Sequence, residues 1–437
     1  MKRFFLLILS GLALPVAAQT ATTINISLQQ AINMGLANRY DMQANKYNIT
    51  LADNTLQKSK KEWLPDIGVD GNIRYNTQLQ ATFIPPGFGG LDKAELLALG
   101  AKNATILGIE LQQPVLQPTL NTDIKIARNN LALQKEKNRS DEINIKIQIA
   151  TAYYNVLLKS LQQHIAAQDE QRFHEYYALA EGKYQQGALI ETDYLRARLD
   201  YENAKITTVT AIQNYVLAMN GLKYQVNIPV TDSLTLTDTL GINETAALPE
   251  NDSYLNRTEI KQIALEQQDI QLQLRKARQF SIPTVAVMAN YSQQYLYNDF
   301  KYTQGEWWSP FSYAGVKISI PISGNIKNQH NIRNYQLKTQ QAAARLQQQT
   351  ADVLFDIQQA STELNNARLN MQATYKNYDL SEKIYQQQQK EFTLGNFAYN
   401  NLLETERSIS SVEQQYIKTQ YDYLMAQIKY KKAIGGY

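Results

Sequence analysis

The chain of 437 residues carries 43 basic and 40 acidic side chains, and its formal net charge of +3 lacks the basic excess typical of proteins that bind nucleic acid. Cysteine is absent, so the fold uses no disulfides, and a chain of this length can bury a large core without them.

The N-terminus has the pattern of a secretory signal peptide. Lys2 and Arg3 precede a mostly apolar run, Phe4–Ala13, and small residues lead up to Ala18. We therefore expect export, with residues 1–18 removed. No later segment reaches the roughly 18 uninterrupted apolar residues of a membrane-spanning helix, so strands would have to make any membrane crossing.

The rest of the chain is duplicated. The same landmarks recur in the same order about 207 to 218 residues apart, which indicates an internal repeat. The pairs are Pro65 and Pro283, Pro114 and Pro321, and Gly187 and Gly395. These matches predict two structural repeats, 24–224 and 251–437, joined by a connector at 225–250.

Each repeat reads as helix, strand, loop, strand, very long helix, glycine break and helix. The long helices are expected at about 119–185 and 323–392, each roughly 100 Å long at 1.5 Å per residue. Apolar residues at alternating steps of three and four mark coiled-coil seams, such as the one from Ile143 to Ile165 and the one from Ile409 to Tyr430. Gly187 and Gly395 should form hairpin turns, because glycine tolerates the positive φ common after a helix end.

Alternating apolar and polar residues predict four strands, at about 66–76, 104–113, 283–297 and 311–321. Soluble sheets with one buried face show the same pattern, but here no helix layer is available to cover the apolar face, whereas lipid would cover it. The polar alternates would then line a wet lumen, and they include Asp70, Arg74, Glu110 and Lys317. Aromatic residues near the strand ends suit the girdle of a membrane barrel: Tyr75, Tyr291, Tyr295, Tyr297, Tyr302, Trp307, Trp308 and Tyr313.

Four strands cannot close a barrel, since the smallest membrane barrels have about eight strands and lipid does not tolerate open edges. We therefore expect a homotrimer, mainly α with a β-barrel portion. Its shared barrel of about twelve strands, four from each chain, would sit in outer-membrane lipid and continue into a barrel of paired long helices. The loop at 77–103 should face the exterior, with a short helix at 93–99.

With these features the chain resembles the TolC-like outer-membrane efflux family. The likeness covers essentially the whole mature chain, and its most specific pieces are the stretches at 184–198 and 392–404. It implies a passive duct in the outer membrane of a Gram-negative bacterium, extending into the periplasm, with no catalysis and no cofactor. It also implies a periplasmic adaptor coupled to an inner-membrane pump, and a gate at the periplasmic helical tips.

The resemblance also assigns gate residues. Asp193 matches the acidic gate residue of the first tip, although an acid there also suits the N-terminal dipole of the following helix, and both interpretations stay open. At the second tip Phe392 and Glu404 fit the family pattern. Phe397 stands in place of a basic residue and Asn401 in place of an acid, so we predict that closure relies on packing of Phe392 and Phe397.

Other functional classes find little support. The three histidines have no further metal ligands placed nearby, and neither a phosphate-binding glycine loop nor a Gly-x-Ser-x-Gly elbow is present. The sequence therefore offers no set of catalytic residues that would support a periplasmic enzyme. A secreted coiled-coil structural or adhesive protein would share the export signal and the seams, but it would not need matched strand pairs in both repeats.

Overall fold

The computed structural model describes residues 23–87, 90, 92–240, 253–394 and 399–437. The expected signal peptide at 1–18, the end of the connector at 241–250, Gly395 and Phe397 lie outside these ranges, as does the side chain of Phe392. The described chain forms two compact units. The first combines 23–44, 140–240, 253–254 and the described part of 353–437, and the second combines the described part of 45–139 with 255–352.

The secondary-structure elements alternate long helices with short groups of strands. In chain order they are β1 (Thr23–Ile26), α1 (Leu28–Asn38), α2 (Tyr40–Lys61), β2 (Asp66–Tyr75), β3 (Ala81–Ile84), β4 (Glu95–Ala98), β5 (Asn103–Leu116), α3 (Pro118–Gln185), α4 (Glu191–Val226), β6 (Ser233–Leu236), α5 (Thr258–Gln279), β7 (Thr284–Tyr297), β8 (Trp308–Ser319), α6 (Gly324–Thr393) and α7 (Tyr399–Ala433). Among the described residues, no helix has a stretch both long and apolar enough to cross a bilayer.

The second unit contains a four-stranded antiparallel sheet in the order β2-β5-β7-β8. A register shift between Pro114 and Leu116 disturbs the ladder at the end of β5, where proline lacks the N–H that pairing needs. The helices of this unit are tied by polar contacts. Lys276 on α5 forms an ion pair with Asp123 on α3 at 2.6 Å, and Asn129 Nδ2 donates to a backbone carbonyl of α5 at 2.8 Å.

The expected short helix at 93–99 is wrong. Residues Glu95–Ala98 form β4, which pairs with β3 in an antiparallel hairpin that places Leu96 opposite Phe83. Pairing with a second apolar strand outweighs the weak helical preference of a run this short, since isolated helices of one or two turns are not stable in water.

The first unit is built around a core that joins β1, α1, α3, α4 and β6. Ile26, Ile149, Tyr153 and Leu222 are fully or almost fully buried in it. β1 and β6 pair in parallel, so part of the connector holds the start of the first repeat. Asp238, just after β6, accepts hydrogen bonds from the Tyr153 hydroxyl at 3.0 Å and from a backbone N–H of α1 at 2.7 Å.

Two further apolar contacts attach α7 to the long helices of the first unit. Leu158 and Ile165 on α3 pack with Ile417 on α7, and Ala360 on α6 packs with Tyr430 on α7. We call α4 with the part of α3 that lies in this unit the first hairpin, and α7 with the corresponding part of α6 the second hairpin.

Candidate functional site

The register of the sheet decides which side chains share a face. On β5, Glu110 lies opposite Gly68 of β2, and residues two apart on a strand point to the same side. Asp70 and Arg74 are two and six residues beyond Gly68, so they lie on the face of Glu110. All three side chains are exposed or half-buried.

The same face continues onto β7 and β8. Glu110 also lies opposite Asn290 on β7, and Ala286, four residues earlier on that strand, lies opposite Lys317 on β8. The structure therefore brings all four residues expected to line the lumen, Asp70, Arg74, Glu110 and Lys317, onto one face of the sheet.

The opposite face of the sheet is apolar and uncovered within the described residues. Val69 on β2 is 77% exposed, Ile109 on β5 is 51% exposed, and Val316 on β8 is 62% exposed. Further exposed apolar side chains on this face are Ile67, Ile73, Leu107, Val287, Tyr291 and Ile318. A continuous apolar face of this size is typical of a surface that contacts lipid or another chain.

An aromatic cluster lies at the end of the sheet where β7 turns into β8. Tyr295 is fully buried there, with ring centroids 4.5 Å from Tyr302 and 5.4 Å from Trp308. Trp308 Nε1 donates to the Tyr302 carbonyl at 2.9 Å, and Tyr297 stacks on Trp307. Aromatic side chains with one polar end suit a membrane interface.

Two of the aromatic residues expected near strand ends lie elsewhere. Tyr291 is opposite Ile109 in the middle of the apolar face, and Tyr313 is opposite Asn290 on the polar face. Both tyrosines are interior to their strands. Tyr291 lies near the middle of β7, and Tyr313 is interior because β8 begins at Trp308, before the strand start expected from the sequence.

The turn of the first hairpin is a glycine-terminated helix end. Gly187 has a φ of +71°, and the N–H groups of Gly187 and Ala188 donate to the carbonyls of Tyr184 and Lys183, each at 2.9 Å. This pair of bonds is a Schellman motif, which satisfies carbonyls left without helical partners. Asp193 lies in the first turn of α4 and is half-buried, a position that suits the dipole of that helix.

Aromatic stacking joins the two helices of the first hairpin near this turn. Tyr184 stacks on Tyr194 at 4.9 Å, and Tyr177 stacks on Tyr201 at 5.8 Å. His174 continues the series, with its ring 5.1 Å from that of Tyr201. These contacts hold α3 and α4 together as one element.

The described part of the second tip places its polar residues outward. Asn401 and Glu404 are exposed on α7, whereas Leu402 and Leu403 between them are 1% and 3% exposed. The two gate candidates at this tip that are described are therefore available for contacts beyond this chain.

A polar cluster between the hairpins was not predicted from the sequence. Its centre is Glu406 on α7, which accepts hydrogen bonds from the hydroxyls of Tyr176 on α3 and Tyr385 on α6. The sequence carries a signal for it, since Glu406 stands between Leu402 and Ile409 at steps of four and three, where a coiled-coil seam is normally apolar. Burial is the main reason that the pKa of Tyr385 rises to about 12.

The described part of the chain contains no cluster of three or more acidic or histidine side chains arranged to hold a metal ion. No catalytic constellation emerges around the residues discussed above, which instead form a two-faced sheet and two hairpin tips.

Comparison with known proteins identifies the family. The sequence profile of the outer membrane efflux protein family matches residues 31–225 and again 251–436. No curated protein matches the chain by sequence.

Solved structures share the fold. The MtrE outer membrane channel of Neisseria gonorrhoeae is 16% identical, with a TM-score of 0.74 over 93% of this chain and 88% of that chain. The CmeC outer membrane channel of Campylobacter jejuni is 16% identical, with a TM-score of 0.72 over 94% of this chain and 85% of that chain. The outer membrane protein VceC of Vibrio cholerae is 15% identical, with a TM-score of 0.72 over 93% of this chain and 96% of that chain.

These matches confirm the TolC-like architecture expected from the sequence, mainly helical, duplicated and with a strand portion. The chain belongs to the outer membrane efflux protein family, whose members are passive channels of the Gram-negative outer membrane that extend into the periplasm, not enzymes.

Proposed function

We propose that three copies of the chain close into one passive duct, which carries substrate from a periplasmic adaptor and an inner-membrane pump to the exterior. The observation that carries this proposal is the four-stranded sheet with an exposed apolar face, whose edge strands β2 and β8 each pair on one side only among the described residues. In lipid, unpaired backbone groups at such edges are strongly disfavoured, so the edges must pair with other copies of the chain.

The strand directions allow this closure. Because all four strands are antiparallel, β8 runs opposite to β2, and β8 of one copy can pair with β2 of the next without breaking the alternation. Two copies would give a barrel of only about eight strands, whose interior is filled by its own side chains. Three copies give about twelve strands, and a barrel of that size leaves room for a pore.

In the closed barrel the polar face would line the lumen and the apolar face would contact outer-membrane lipid. The lumen residues, exposed to the passing substrate, would then be Asp70, Arg74, Glu110 and Lys317.

The proposed organisation of the chain is an export signal at 1–18 followed by two structural repeats, 24–224 and 251–437, which a connector at 225–250 joins.

We place the gate at the hairpin tips. Its residues would be Asp193 on the first tip and Phe392, Phe397, Asn401 and Glu404 on the second, with Gly187 and Gly395 at the turns. The exposure of Asn401 and Glu404 and the stacking that stiffens the first hairpin support tips that move as elements and dock onto an adaptor.

The alternative of a secreted coiled-coil structural or adhesive protein is not favoured. It explains the seams and the export signal, but it gives no role to an uncovered apolar sheet face.

Cysteine cross-linking tests the closure directly, because the chain has no cysteine of its own. Val69→Cys on β2 and Val316→Cys on β8 place one thiol on each edge strand. Cysteines at neighbouring positions along both strands test the other registers in which β8 of one copy can pair with β2 of the next. We expect oxidised outer-membrane fractions to show covalent dimers and trimers on a non-reducing gel. A matched control pairs Ile109→Cys on the central strand β5 with Val316→Cys and should stay monomeric, and monomers from every edge pair would contradict the shared barrel.

A further inference from the structure

A buried carboxyl group links the two hairpins of the first unit. Glu406 is 2% exposed, and its Oε1 accepts hydrogen bonds from the hydroxyls of Tyr176 and of Tyr385, the latter at 2.9 Å. Its Oε2 is buried and has no hydrogen-bond partner. A charged carboxylate oxygen left in this state is strongly disfavoured, so the packing suits the neutral acid.

Two other residues of α7 reach the first hairpin close to Glu406. Ser410 Oγ donates to Asp169 Oδ2 on α3 at 2.6 Å, and Arg407 forms an ion pair with Asp200 on α4. One short stretch of α7 therefore makes polar links to both helices of the first hairpin. Since each hairpin is also held together internally by stacked tyrosines, separation of the hairpins would break these links first.

We infer that Glu406 is a proton-binding site that couples opening of the tips to pH. The carboxyl group is protonated while the hairpins are packed, and it releases its proton to water when they separate and water reaches it. This inference rests on the proposed gating at the tips, and it assigns that gate a ligand, the proton, and a residue that binds it.

The surroundings of Glu406 support a neutral acid in the packed state. Burial raises the pKa of its carboxyl group above the ordinary value, and the net shift is upward. The hydrogen bonds from Tyr176 and Tyr385 act in the opposite direction, as does the positive charge of Arg172. That guanidinium is paired with Asp169, whose negative charge raises the pKa of Glu406 further.

Further charged groups lie close to the cluster. On α7 itself, burial is the main reason that the pKa of Glu413 is raised. The charges of Asp169 on α3 and Glu382 on α6 act in the same direction, and those of Arg172 and His164 on α3 act against it. From α4, Asp200 is engaged by Arg407. The packed hairpins thus hold more than one acid that gains a proton more readily than it would in water.

The direction of the pH effect follows from linkage. Because the pKa of Glu406 is raised only in the packed state, protonation stabilises packing fully below the ordinary value of 4.5, and this stabilisation is lost as pH rises through the raised value. Acid should therefore keep the tips closed, and rising pH should open them. The packing equilibrium can shift by at most about tenfold per pH unit and per chain for one such group.

Single-channel recording of the full-length protein in planar bilayers tests this, with the periplasmic side titrated upward from pH 4.5. We expect the open fraction of the wild type to rise with pH and Glu406→Gln, which mimics the neutral acid, to lose most of that response. Asp422→Asn, at an exposed acid further along the same helix and outside the proposed gate, should respond like the wild type. A Glu406→Gln channel that titrates like the wild type would overturn the inference.

A second variant covers the case in which Glu406→Gln does not assemble. Tyr176→Phe removes one hydrogen bond that favours the charged carboxylate, so it should move the opening transition to higher pH. A transition that stays in place or moves to lower pH would contradict the assignment of the proton to Glu406.

A distance measurement separates failure of this inference from failure of the duct. Spin labels on Gln186→Cys and Leu394→Cys, both exposed and close to the two tips, report hairpin separation by electron paramagnetic resonance. A pH-dependent distance that Glu406→Gln abolishes, in a protein that passes no current, would support the proton site and overturn the duct. Current through a protein whose tip distance ignores pH would support the duct and overturn the proton site.

Discussion

Gly108 on β5 lies directly opposite Ser292 on β7, and a Cβ atom on Gly108 would stand 2.1 Å from Ser292 Oγ and 3.0 Å from Ser292 Cβ. The sheet therefore needs glycine at this position. We expect Gly108→Ala to lower the free energy of unfolding by about 1–3 kcal/mol, because the added methyl overpacks the ladder. Thermal unfolding followed by circular dichroism in detergent measures the change.

Gly68 on β2 supplies the matched control for this prediction. A Cβ atom on Gly68 meets nothing within 4 Å, so Gly68→Ala should leave the unfolding temperature of the sheet nearly unchanged. Combining Gly108→Ala with Ser292→Gly should restore most of the lost stability. Equal effects of the two alanine substitutions would contradict the close approach.

The two faces of β2 should respond oppositely to charge. Val69 lies on the apolar face and Asp70 on the polar face. Val69→Arg places a guanidinium against lipid, which costs about 2–4 kcal/mol near the bilayer midplane, so we expect far less protein in the outer-membrane fraction. Asp70→Arg should assemble normally, and quantitative immunoblotting of membrane fractions compares the two variants.

Two glycines near the first tip should respond to alanine with opposite signs. Gly187 has a φ of +71°, so Gly187→Ala forces a side chain into the left-handed region and should destabilise the hairpin by about 1–2 kcal/mol. Gly182 lies inside α3 with nothing within 4 Å of an added Cβ. Gly182→Ala should therefore stabilise the hairpin by about 0.5–1 kcal/mol, and thermal unfolding of both variants checks the signs.

Phe397 carries the prediction about closure of the second tip. If packing of Phe392 and Phe397 holds the gate, Phe397→Ala should raise the conductance of the duct in planar bilayers by widening its narrowest point. Phe397→Leu, which keeps most of the apolar volume, is the control and should stay near the wild type. An unchanged conductance in Phe397→Ala would count against apolar closure.

The sequence predicted the parts of the fold that depend on repeating patterns. Alternation predicted four strands, and the register of the sheet brings Asp70 and Lys317 onto one face although they are 247 residues apart in the sequence. Period-two patterns succeed here because one face of each strand contacts an apolar environment along its whole length.

Features that depend on tertiary contacts were harder to predict. In the seam expected from Ile143 to Ile165, Ile165 is buried but Ile143 is only half-buried, and the structure buries Ile145 and Ile149 against α1 and α4 instead. Here an apolar stripe widens into a full core, and periodicity alone does not show which of its residues are innermost. The pairing of β6 with β1 needs contacts between distant segments, which a short apolar alternation cannot specify.

The polar cluster at Glu406 shows a different limit. A single acid in an apolar seam is visible in the sequence, but its partners Tyr176 and Tyr385 lie on two other helices. In the sequence Glu406 is only an interruption of the apolar pattern. It becomes a candidate site because the packing of three helices buries it among hydrogen-bond donors.

Electron microscopy of the mature protein extracted with mild detergent from outer membranes tests the central claim most directly. We predict particles with three-fold symmetry, in which a strand barrel inside the detergent belt continues into a helical tube roughly 100 Å long. Monomers or thin rods recovered from the soluble periplasmic fraction would contradict the shared barrel and the duct with it.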